Sequence, residues 1–429
     1  MKFTVFTLGC KVNQYESQAV TELFEALGYG KATAADIPDI VFVNSCSVTA
    51  ESDRKTRQAV RKYRAKYPNA VIVLMGCMTS AQPSTAEDMS EADIVIGNTA
   101  HNELPALLEQ YLRRKQRIVK IGEHKRNEEY FTPQITDFSE HTRAFMKIED
   151  GCDRFCTYCI IPYARGFVRS RSIEDISAEA NALAKSGYRE IVLVGINLSS
   201  YGKDNGLTLY DAVKAVAETG GIERVRLGSL EPDLMDNALL EGLAKIDKFC
   251  PQFHLSLQSG CDATLKRMNR HYDSAFYFDL IERIRKIFVN SAITTDIMVG
   301  FPGESEQEFC ESLEFVKRVG FAKSHIFAYS RRKGTVADKM SGQLTNAQKA
   351  ERSKKMIEAT TNSETEFLQG QCPSVAEVLF ETYENGFSVG YTRNYTPVKV
   401  KGSSALCGKI FKVRLSSVED GGCVGEIIE

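Results

Sequence analysis

The sequence predicts an α/β protein with three parts: a small doubly wound parallel sheet, a partial (β/α)6 barrel, and a small all-β barrel at the C-terminal end. Two observations support this prediction. Short β-branched segments alternate with helical segments from residue 1 to about 330, a pattern typical of parallel sheets. Residues 371–429 instead contain short strand-like segments separated by Gly, Asn and Ser, a pattern typical of all-β folds.

Residues 1–122 are predicted to form the doubly wound sheet. Their helical segments carry apolar side chains at three- and four-residue spacing, for example Ala19, Leu23 and Leu27. Their strand candidates are short, apolar and β-branched, as buried parallel strands are. These candidates are Lys2–Gly9, Ile40–Ser45, Ala70–Gly76 and Ala92–Gly97.

Residues 123–141 are polar and contain few strand-forming side chains, which predicts a linker or a lid. Residues 142–330 then resume the alternation of strands and helices, and we expect a partial barrel. Its active site is expected at the carboxyl ends of the strands. The six strand candidates are Arg143–Ile148, Glu190–Gly195, Arg224–Ser229, Phe253–Leu257, Ala292–Val299 and Ala322–Tyr329.

Residues 331–370 are predicted to be a basic linker followed by a helix, because residues 331–355 carry eight Lys or Arg and only two acidic side chains. Residues 371–429 contain five strand-like segments, which begin with VAEVLFET and end with CVGEIIE. We expect them to form a small closed barrel, a fold that often binds oligonucleotides.

The composition excludes several classes of protein. A net charge of −2 and a pI near 6.4 argue against coating of nucleic acid by bulk charge, although local basic patches remain possible. No apolar run approaches the roughly 18 residues needed to cross a bilayer, so no membrane association is expected. Leu8-Gly9-Cys10 imitates the end of a lipoprotein signal, but Thr4 and Thr7 interrupt the apolar run before it. We therefore expect a cytoplasmic protein.

The clearest chemical signal is the motif CDRFCTYC, in which Cys152, Cys156 and Cys159 are separated by three and then two residues. Clustered cysteines in a cytoplasmic chain are more often metal ligands than disulfides. Three thiolates on one loop can hold three irons of a cubane cluster and leave the fourth iron open for a cofactor. The alternatives are a zinc site, which would need a fourth ligand, and chance clustering.

Three further cysteines are dispersed along the first 77 residues. Cys10, Cys46 and Cys77 each follow a predicted strand, in FTLGC, VFVNSC and VLMGC. In a parallel sheet the carboxyl ends of the strands share one edge, where ligand sites form. Single buried thiols are common, so each cysteine taken alone would favour a packing role. Their shared position relative to the strands favours a second three-thiolate site.

The spacing CxxxCxxC after a strand resembles that of the radical S-adenosylmethionine superfamily, and the complete set of elements resembles the methylthiotransferases within it. This resemblance implies that Cys152, Cys156 and Cys159 bind one [4Fe–4S] cluster, which also binds S-adenosylmethionine. Reductive cleavage of that cofactor then gives a 5′-deoxyadenosyl radical. The resemblance further implies a second [4Fe–4S] cluster on Cys10, Cys46 and Cys77, and a TRAM-type barrel at the C-terminal end.

Within that family, the opening TLGCKVNQYES is similar to the branch that modifies N6-threonylcarbamoyladenosine in tRNA. The resemblance implies conversion of this base, next to the anticodon, to its 2-methylthio form, with the tRNA anticodon loop and an electron donor as partners. The same reaction on isopentenyladenosine or on a ribosomal protein remains an alternative. So does a non-catalytic iron–sulfur protein that binds RNA.

Four residues at or near predicted strand ends are candidates for contacts with S-adenosylmethionine. Gly195 and Asn197 lie at the end of the second barrel strand, Gln258 lies just past the fourth, and Asp296 lies near the fifth. The alternative is that they only satisfy turn geometry and loop backbone.

Two further groups of side chains have nucleic-acid or structural interpretations. Arg165, Arg169 and Arg171 are predicted either to meet phosphates or to form an ordinary solvated face. In the C-terminal barrel four side chains either contact unpaired bases or belong to the core. These are Tyr391, Arg393, Asn394 and Tyr395.

Overall fold

The N-terminal part of the chain is a six-stranded, fully parallel sheet with the strand order β2-β1-β3-β4-β5-β6. We describe it from a computed structural model that covers residues 1–126, 128, 130, 135–137 and 142–428. The strands are β1 (Lys2–Thr7), β2 (Gly30–Lys31), β3 (Ile40–Ser45), β4 (Val71–Gly76), β5 (Ile94–Ile96) and β6 (Ile118–Lys120). The helices are α1 (Lys11–Ala26), α2 (Ala50–Lys66), α3 (Cys77–Ala81), α4 (Pro83–Glu87) and α5 (Leu104–Arg114).

Both faces of this sheet are covered, which explains why its central strands are apolar throughout. All residues of β3 and β4 are buried. Phe42 packs with Phe3 and Phe24 on one face, whereas Val41 and Val43 belong to a separate cluster on the other face. Successive side chains of a strand point to opposite faces, so one strand serves two cores. The predicted doubly wound sheet is confirmed.

The second part is an open barrel of parallel strands in two sheets, with the orders β11-β10-β7 and β12-β13-β14-β15. A parallel bridge between Val225 and Phe249 links them. The main strands are β7 (Ala144–Lys147), β10 (Glu190–Val194), β11 (Arg224–Leu227), β12 (Ser229–Leu230), β13 (Gln252–Leu255), β14 (Ala292–Val299) and β15 (Lys323–Ala328). The short strands β8 (Glu149–Asp150) and β9 (Arg169–Ser170) form an antiparallel pair beside them. The six predicted strands are found as β7, β10, β11, β13, β14 and β15.

Helices cover the outer side of this barrel. Capping boxes begin α8 at Thr208, α12 at Ser305 and α13 at Thr345, where each hydroxyl accepts a backbone N–H of the first turn. The helices are α6 (Ile161–Arg165), α7 (Ile173–Lys185), α8 (Leu209–Ala217), α9 (Asn237–Ala244), α10 (Asp262–Arg267), α11 (Ser274–Ile287), α12 (Glu306–Val319) and α13 (Asn346–Gln369). Short 3-10 turns lie at Asn98–Glu103, Leu198–Ser200, Pro232–Leu234, Ala337–Lys339 and Ser404–Leu406. No helix in the described ranges is long and apolar enough to span a membrane.

The C-terminal part is a closed five-stranded barrel with the order β16-β17-β18-β20-β19, in which β16 also pairs with β19. Its core contains Val378, Phe380, Val398 and Val413. The strands are β16 (Ser374–Glu384), β17 (Phe387–Thr392), β18 (Pro397–Lys401), β19 (Ile410–Glu419) and β20 (Gly422–Ile427). The predicted small all-β barrel is confirmed.

The predicted linker or lid lies partly outside the described residues, at 127, 129, 131–134 and 138–141. Its described residues contact the protein. His124 Nε2 lies 2.9 Å from the backbone oxygen of Ala164, and Tyr130 donates a hydrogen bond to the backbone oxygen of Lys147 at 2.8 Å. Ile135 is fully buried in the barrel core. These residues therefore connect the sheet and the barrel by packing.

Candidate functional site

The first cysteine set, which consists of Cys10, Cys46 and Cys77, lies at one edge of the N-terminal sheet. Strands β1, β3 and β4 are adjacent and parallel, so their carboxyl ends meet there. Cys10 is the N-cap of α1, Cys46 directly follows β3, and Cys77 is the first residue of α3. The structure thus brings these three predicted ligands to one sheet edge, where Cys46 and Cys77 are buried and Cys10 is exposed.

Two glycines allow the chain to pass close to these thiols. Gly9 has φ +111°, and a Cβ at this position would lie 2.9 Å from the Cβ of Cys46 and 3.1 Å from its sulfur. Gly76 has φ +96°, and a Cβ there would collide with the Asn44 side chain and the backbone of Ser45. Only glycine has both the small volume and the freedom in φ that these positions need.

Asn13 ties the strand ends together beneath the cysteines. Its Nδ2 donates hydrogen bonds to the backbone oxygens of Leu8 at 2.8 Å and of Ser45 at 2.9 Å. Its Oδ1 faces the sulfurs of Cys10 at 3.8 Å and of Cys77 at 4.0 Å. The amide therefore fixes the spacing between two of the strand ends, a role that sequence alone does not reveal.

Arg165 of the barrel reaches this cysteine set and is fully buried. Its Nε donates to the sulfur of Cys77 at 3.2 Å, and its Nη2 donates to Asn13 Oδ1 at 2.9 Å. The guanidinium also forms a two-point pair with Glu16, at 2.5 and 2.9 Å. Lys147 donates to the same carboxylate at 2.8 Å. Despite the cost of burial, Arg165 and Lys147 lower the pKa of Glu16 to about 2.

The two interpretations of Arg165, Arg169 and Arg171 are both wrong. All three side chains are buried, and each pairs with a carboxylate of the protein. Arg169 lies 3.2 Å from Glu128, and Arg171 lies 2.7 Å from Glu179. They neither meet phosphates nor form a solvated face, because their acidic partners occupy them inside the fold.

The second cysteine set, which consists of Cys152, Cys156 and Cys159, lies on the loop after β8, next to the carboxyl ends of the barrel strands. Gly151 begins the loop with φ +88°, and a Cβ there would collide with the backbone oxygen of Phe167. Cys152 N donates to the backbone oxygen of Gly166, and Cys159 N donates to that of Cys156, both at 2.9 Å. These bonds fold the loop so that its three thiols, each partly exposed, lie together.

Arg270 is the counterpart of Arg165 at this second set. Its Nη1 donates to the sulfur of Cys156 at 3.2 Å, and its Nη2 bonds to the Ser256 backbone and the Tyr272 hydroxyl at 3.0 and 2.9 Å. It also pairs with Glu231. Its sequence distance from the motif, 114 residues from Cys156, hid this contact from sequence analysis.

Two of these thiols have raised pKa values, so they would be thiolate ligands only when a metal is bound. Burial raises the pKa of Cys77 to about 12. Burial and the neighbouring Cys156 raise the pKa of Cys159 to about 12. Such thiols stay protonated at neutral pH unless a metal displaces the proton. Simple nucleophilic chemistry by these cysteines is therefore disfavoured.

A cubane cluster and a single metal ion place different demands on their ligands. Within the described ranges no group of three or more His, Cys, Asp or Glu side chains is gathered so as to hold one metal ion. A cubane cluster makes a different demand, because each of its thiolates binds a separate iron. Three thiolates and one buried N–H donor to sulfur at each set fit such a cluster, since hydrogen bonds to sulfur stabilise the bound form.

A cavity of about 380 Å³ opens beside the second cysteine set. Cys159, Tyr158, Gln258 and Asp296 line it. Gln258 has φ +68°, and its Oε1 is buried with no hydrogen-bond partner among the described residues. An unpartnered acceptor in a cavity of this size is able to accept a hydrogen bond from a bound ligand.

A second cavity, of about 370 Å³, opens beside the first cysteine set. Cys10, Lys11, Gly195 and Tyr395 line it, and Asp296 lines both cavities. The two cysteine sets therefore face adjacent spaces that meet at one carboxylate. A larger cavity of about 830 Å³ is lined in part by Asp153 and Arg154 of the cysteine loop, but no cysteine lines it.

Gly195 and Asn197 lie beside Glu149, directly before the cysteine loop. A Cβ at Gly195 would lie 2.6 Å from Glu149 Oε2, and the backbone N–H of Asn197 donates to that oxygen at 2.7 Å. The Asn197 side chain instead donates to Ser200 Oγ at 2.8 Å. Burial, first of all, raises the pKa of Glu149 well above its usual range. Sequence analysis missed Glu149.

Comparison with known proteins relates each part of the chain to a family. The Radical SAM superfamily matches residues 146–316, and the Uncharacterized protein family UPF0004 matches residues 2–97. The threonylcarbamoyladenosine tRNA methylthiotransferase MtaB of Bacillus subtilis is 36% identical over 95% of this chain and 92% of its own length. The MtaB of Aquifex aeolicus is 37% identical over 96% of this chain and 100% of its own length.

A relative whose name gives a different substrate has almost the same sequence identity to this chain. The tRNA-2-methylthio-N(6)-dimethylallyladenosine synthase of Clostridium botulinum is 34% identical over 100% of this chain and 97% of its own. The chain belongs to the radical S-adenosylmethionine methylthiotransferases. Among solved structures, the radical S-adenosylmethionine methyltransferase TsrM of Kitasatospora setae covers 76% of this methylthiotransferase and 74% of its own chain. Its TM-score is 0.58 at 13% identity, which shows a shared fold.

As a methylthiotransferase, the protein is an enzyme that uses S-adenosylmethionine and two [4Fe–4S] clusters. The prediction of these cofactors is confirmed. Which residues bind them stays a prediction, and the two cysteine sets described above are the residues that fit.

The C-terminal barrel of the methylthiotransferase is attached to the catalytic barrel by stacked rings and arginines. Tyr391 and Tyr395 stack with their centroids 4.4 Å apart. The guanidinium carbons of Arg143 and Arg226 lie 4.9 and 4.8 Å from the centroid of the Tyr395 ring. Arg143 also donates to the Tyr395 hydroxyl at 3.0 Å. These rings serve an internal contact that neither sequence interpretation described.

The neighbouring side chains are engaged in the same contact. Asn394 donates to the backbone oxygen of Asn290 at 3.0 Å, and Arg393 donates to that of Phe249 at 3.0 Å. Their partners are backbone oxygens of the catalytic barrel. Arg393 and Asn394 therefore hold the two barrels together.

Proposed function

We propose that this methylthiotransferase converts N6-threonylcarbamoyladenosine, next to the anticodon of tRNA, to its 2-methylthio derivative. One structural observation carries the proposal: Asp296 lines both the cavity beside Cys159 and the cavity beside Cys10. A base placed where the two spaces meet would face both cysteine sets. The choice of base is supported by the names of the MtaB relatives, which are 36% and 37% identical to the chain.

In this proposal the six cysteines divide between two clusters. Cys152, Cys156 and Cys159 would hold the cluster that binds S-adenosylmethionine, and Cys10, Cys46 and Cys77 would hold the second cluster. When bound, the two clusters and the cofactor supply radical hydrogen abstraction at carbon 2 and the incoming methylthio group. The chain itself would position the base, exclude water and stabilise the cluster sulfurs through Arg165 and Arg270.

S-adenosylmethionine would lie in the cavity beside Cys159. Gln258 supports this placement because its buried Oε1 lacks a donor among the described residues. Gly195 lines the adjoining cavity beside Cys10, so it would approach the cofactor where the two spaces meet. Asn197 would contribute through its place beside Glu149, because its side-chain amide already donates a hydrogen bond to Ser200.

The partners and the location follow from the same proposal. The tRNA would present its anticodon loop, where an unpaired base can be splayed out without opening a duplex. An electron donor would reduce the clusters, and the enzyme would work in the cytoplasm. We also propose the division into residues 1–122, 123–141, 142–330, 331–370 and 371–429 as sheet domain, linker, catalytic barrel, basic linker with helix, and C-terminal barrel.

A second candidate is the same reaction on dimethylallyladenosine in tRNA. It is favoured by relatives of that name, which are 34% identical over the whole chain. Mass spectrometry of tRNA nucleosides from a deletion strain separates the two candidates. We expect 2-methylthio-threonylcarbamoyladenosine to disappear and to return with the wild-type gene. An unchanged level of this nucleoside would refute the proposed substrate.

The clusters are tested with purified protein under anaerobic conditions. We expect about eight irons per chain, falling to about four in a Cys152/Cys156/Cys159 triple alanine variant, as two cubane clusters require. Reduced wild type should form 5′-deoxyadenosine from S-adenosylmethionine, and Cys156→Ala should not. Cys310→Ala, which removes an exposed thiol on α12, is the matched control and should behave as wild type. A non-catalytic protein would form no 5′-deoxyadenosine.

A further inference from the structure

We propose that Lys11 binds the carboxylate of the threonyl group and so selects the acidic N6 substituent of the substrate base. The inference rests on the proposed function. It adds a residue that distinguishes threonylcarbamoyladenosine from a base with an apolar substituent.

The position of Lys11 places a cation inside the substrate space. It is the first residue of α1, directly after Cys10, and it lines the 370 Å³ cavity with Cys10 and Gly195. Its side chain is exposed and forms part of the cavity lining. Its ammonium nitrogen lies 5.7 Å from the centroid of the Phe145 ring. A group entering beside Cys10 would meet this ammonium.

The charges around the cavity leave Lys11 without an acidic partner among the described residues. Arg226 is paired with Glu190 at 2.7 Å, and Arg143 is paired with Glu381 at 2.6 Å. These pairs occupy the nearby carboxylates.

Asp296, the remaining carboxylate on the cavity lining, lies 3.3 Å from His254. The ammonium of Lys11 is thus free to pair with an anion that enters the cavity. An anion that did so would gain a charge-assisted hydrogen bond from the ammonium.

The chemistry of the substrate supplies such an anion. In threonylcarbamoyladenosine the threonine nitrogen is part of the urea link, and its carboxylate remains free. N6 and carbon 2 flank the same edge of adenine, so a base that presents carbon 2 to Cys10 carries its N6 substituent on the same side. An apolar substituent would instead bury Lys11 without a partner, which is unfavourable. The same lysine therefore attracts one base and rejects the other.

Binding of anticodon stem-loop RNAs to the anaerobic, cluster-loaded enzyme without S-adenosylmethionine tests the inference. Three RNAs carry threonylcarbamoyladenosine, its carboxamide analogue, or plain adenosine at the target position. We expect wild type to bind the acid about 10- to 100-fold more tightly than the carboxamide, as for loss of one hydrogen bond to a charged group. Lys11→Gln should lose this preference, and Lys11→Arg should largely retain it. Lys62→Gln, an exposed lysine on α2, is the matched control.

Each result decides a separate point. If wild type binds acid and carboxamide equally, or if Lys11→Gln keeps the preference, the inference is wrong. If Lys11→Gln weakens all three RNAs by the same factor, Lys11 meets a phosphate instead, and the inference is also wrong. Iron content is measured on each variant, because Lys11 adjoins Cys10. The comparison of RNAs on wild type needs no variant. Failure of the proposed function has its own sign: wild type would form no 2-methylthio product from the acid RNA.

Discussion

Arg165 of the catalytic barrel donates a hydrogen bond from its Nε to the sulfur of Cys77 on the N-terminal sheet, at 3.2 Å. The same guanidinium pairs with Glu16, so one side chain joins a proposed cluster ligand to the buried charges between the two parts of the chain. The ion pairs at this junction therefore stabilise both the fold and the environment of the sulfur.

Replacing Arg165 by Gln should destabilise the protein by about 3 kcal/mol, because the buried carboxylate of Glu16, and that of Asp150 3.3 Å from the guanidinium, would lose a partner. Urea unfolding followed by circular dichroism under anaerobic conditions measures this change. Arg189→Gln breaks an exposed pair with Glu223 and should cost less than about 1 kcal/mol. Equal effects of the two substitutions would contradict the role given to Arg165.

Replacing Arg270 by Gln should make the reduction potential of the cluster proposed at Cys152, Cys156 and Cys159 more negative. In the wild type, the N–H of Arg270 that donates to the sulfur of Cys156 and the positive charge of Arg270 both stabilise the reduced cluster more than the oxidised one. The substitution removes both. A shift on the order of 60 mV corresponds to about 1.4 kcal/mol for one electron. Titration monitored by electron paramagnetic resonance measures it. Arg267→Gln, which removes a pair with Glu308, should leave the potential unchanged.

The stability of the protein should fall in acid because of Glu16. Its pKa is about 2 in the folded chain and 4.5 ordinarily, so the unfolded chain takes up the proton first as the pH falls. The contribution is complete above pH 4.5 and is lost progressively toward pH 2, with a full size of about 3 kcal/mol. The free energy of unfolding should therefore fall more steeply with decreasing pH for wild type than for Glu16→Gln. Parallel curves would show that another group dominates.

Tyr395 should be essential for attachment of the C-terminal barrel. Tyr395→Phe removes only the hydroxyl that accepts from Arg143 and should cost about 1 kcal/mol. Tyr395→Ala also removes the ring that stacks on Tyr391 and faces Arg226, and should cost about 3 kcal/mol. Limited proteolysis near residue 372 should accelerate in the alanine variant. Equal proteolysis of wild type and Tyr395→Ala would argue that other contacts hold the barrel.

The sequence is sufficient to predict the sheets and the placement of the cysteines, because burial on both faces leaves a readable apolar pattern. Strands β3 and β4 show this pattern over their whole length. The short edge strands β2 and β6 escape prediction, since their mostly exposed residues carry no such pattern.

The charged residues behave differently. The partners of Arg165 lie up to 152 residues away in sequence, at Asn13, and no local signal links them. From sequence alone, a basic side chain after a cluster motif is therefore interpreted as an RNA contact. Only the three-dimensional structure reveals the carboxylate with which it pairs.

The distance along the chain between Cys77 and Arg165 has a consequence for biosynthesis. Arg165 is synthesised 88 residues after Cys77, and Glu16 waits still longer for its guanidinium partner. The sheet can form as soon as its strands have left the ribosome, but the surroundings of Cys77 are complete only when the catalytic barrel has closed against it. Completion of the environment of Cys77 therefore follows translation of the barrel, however early the sheet forms.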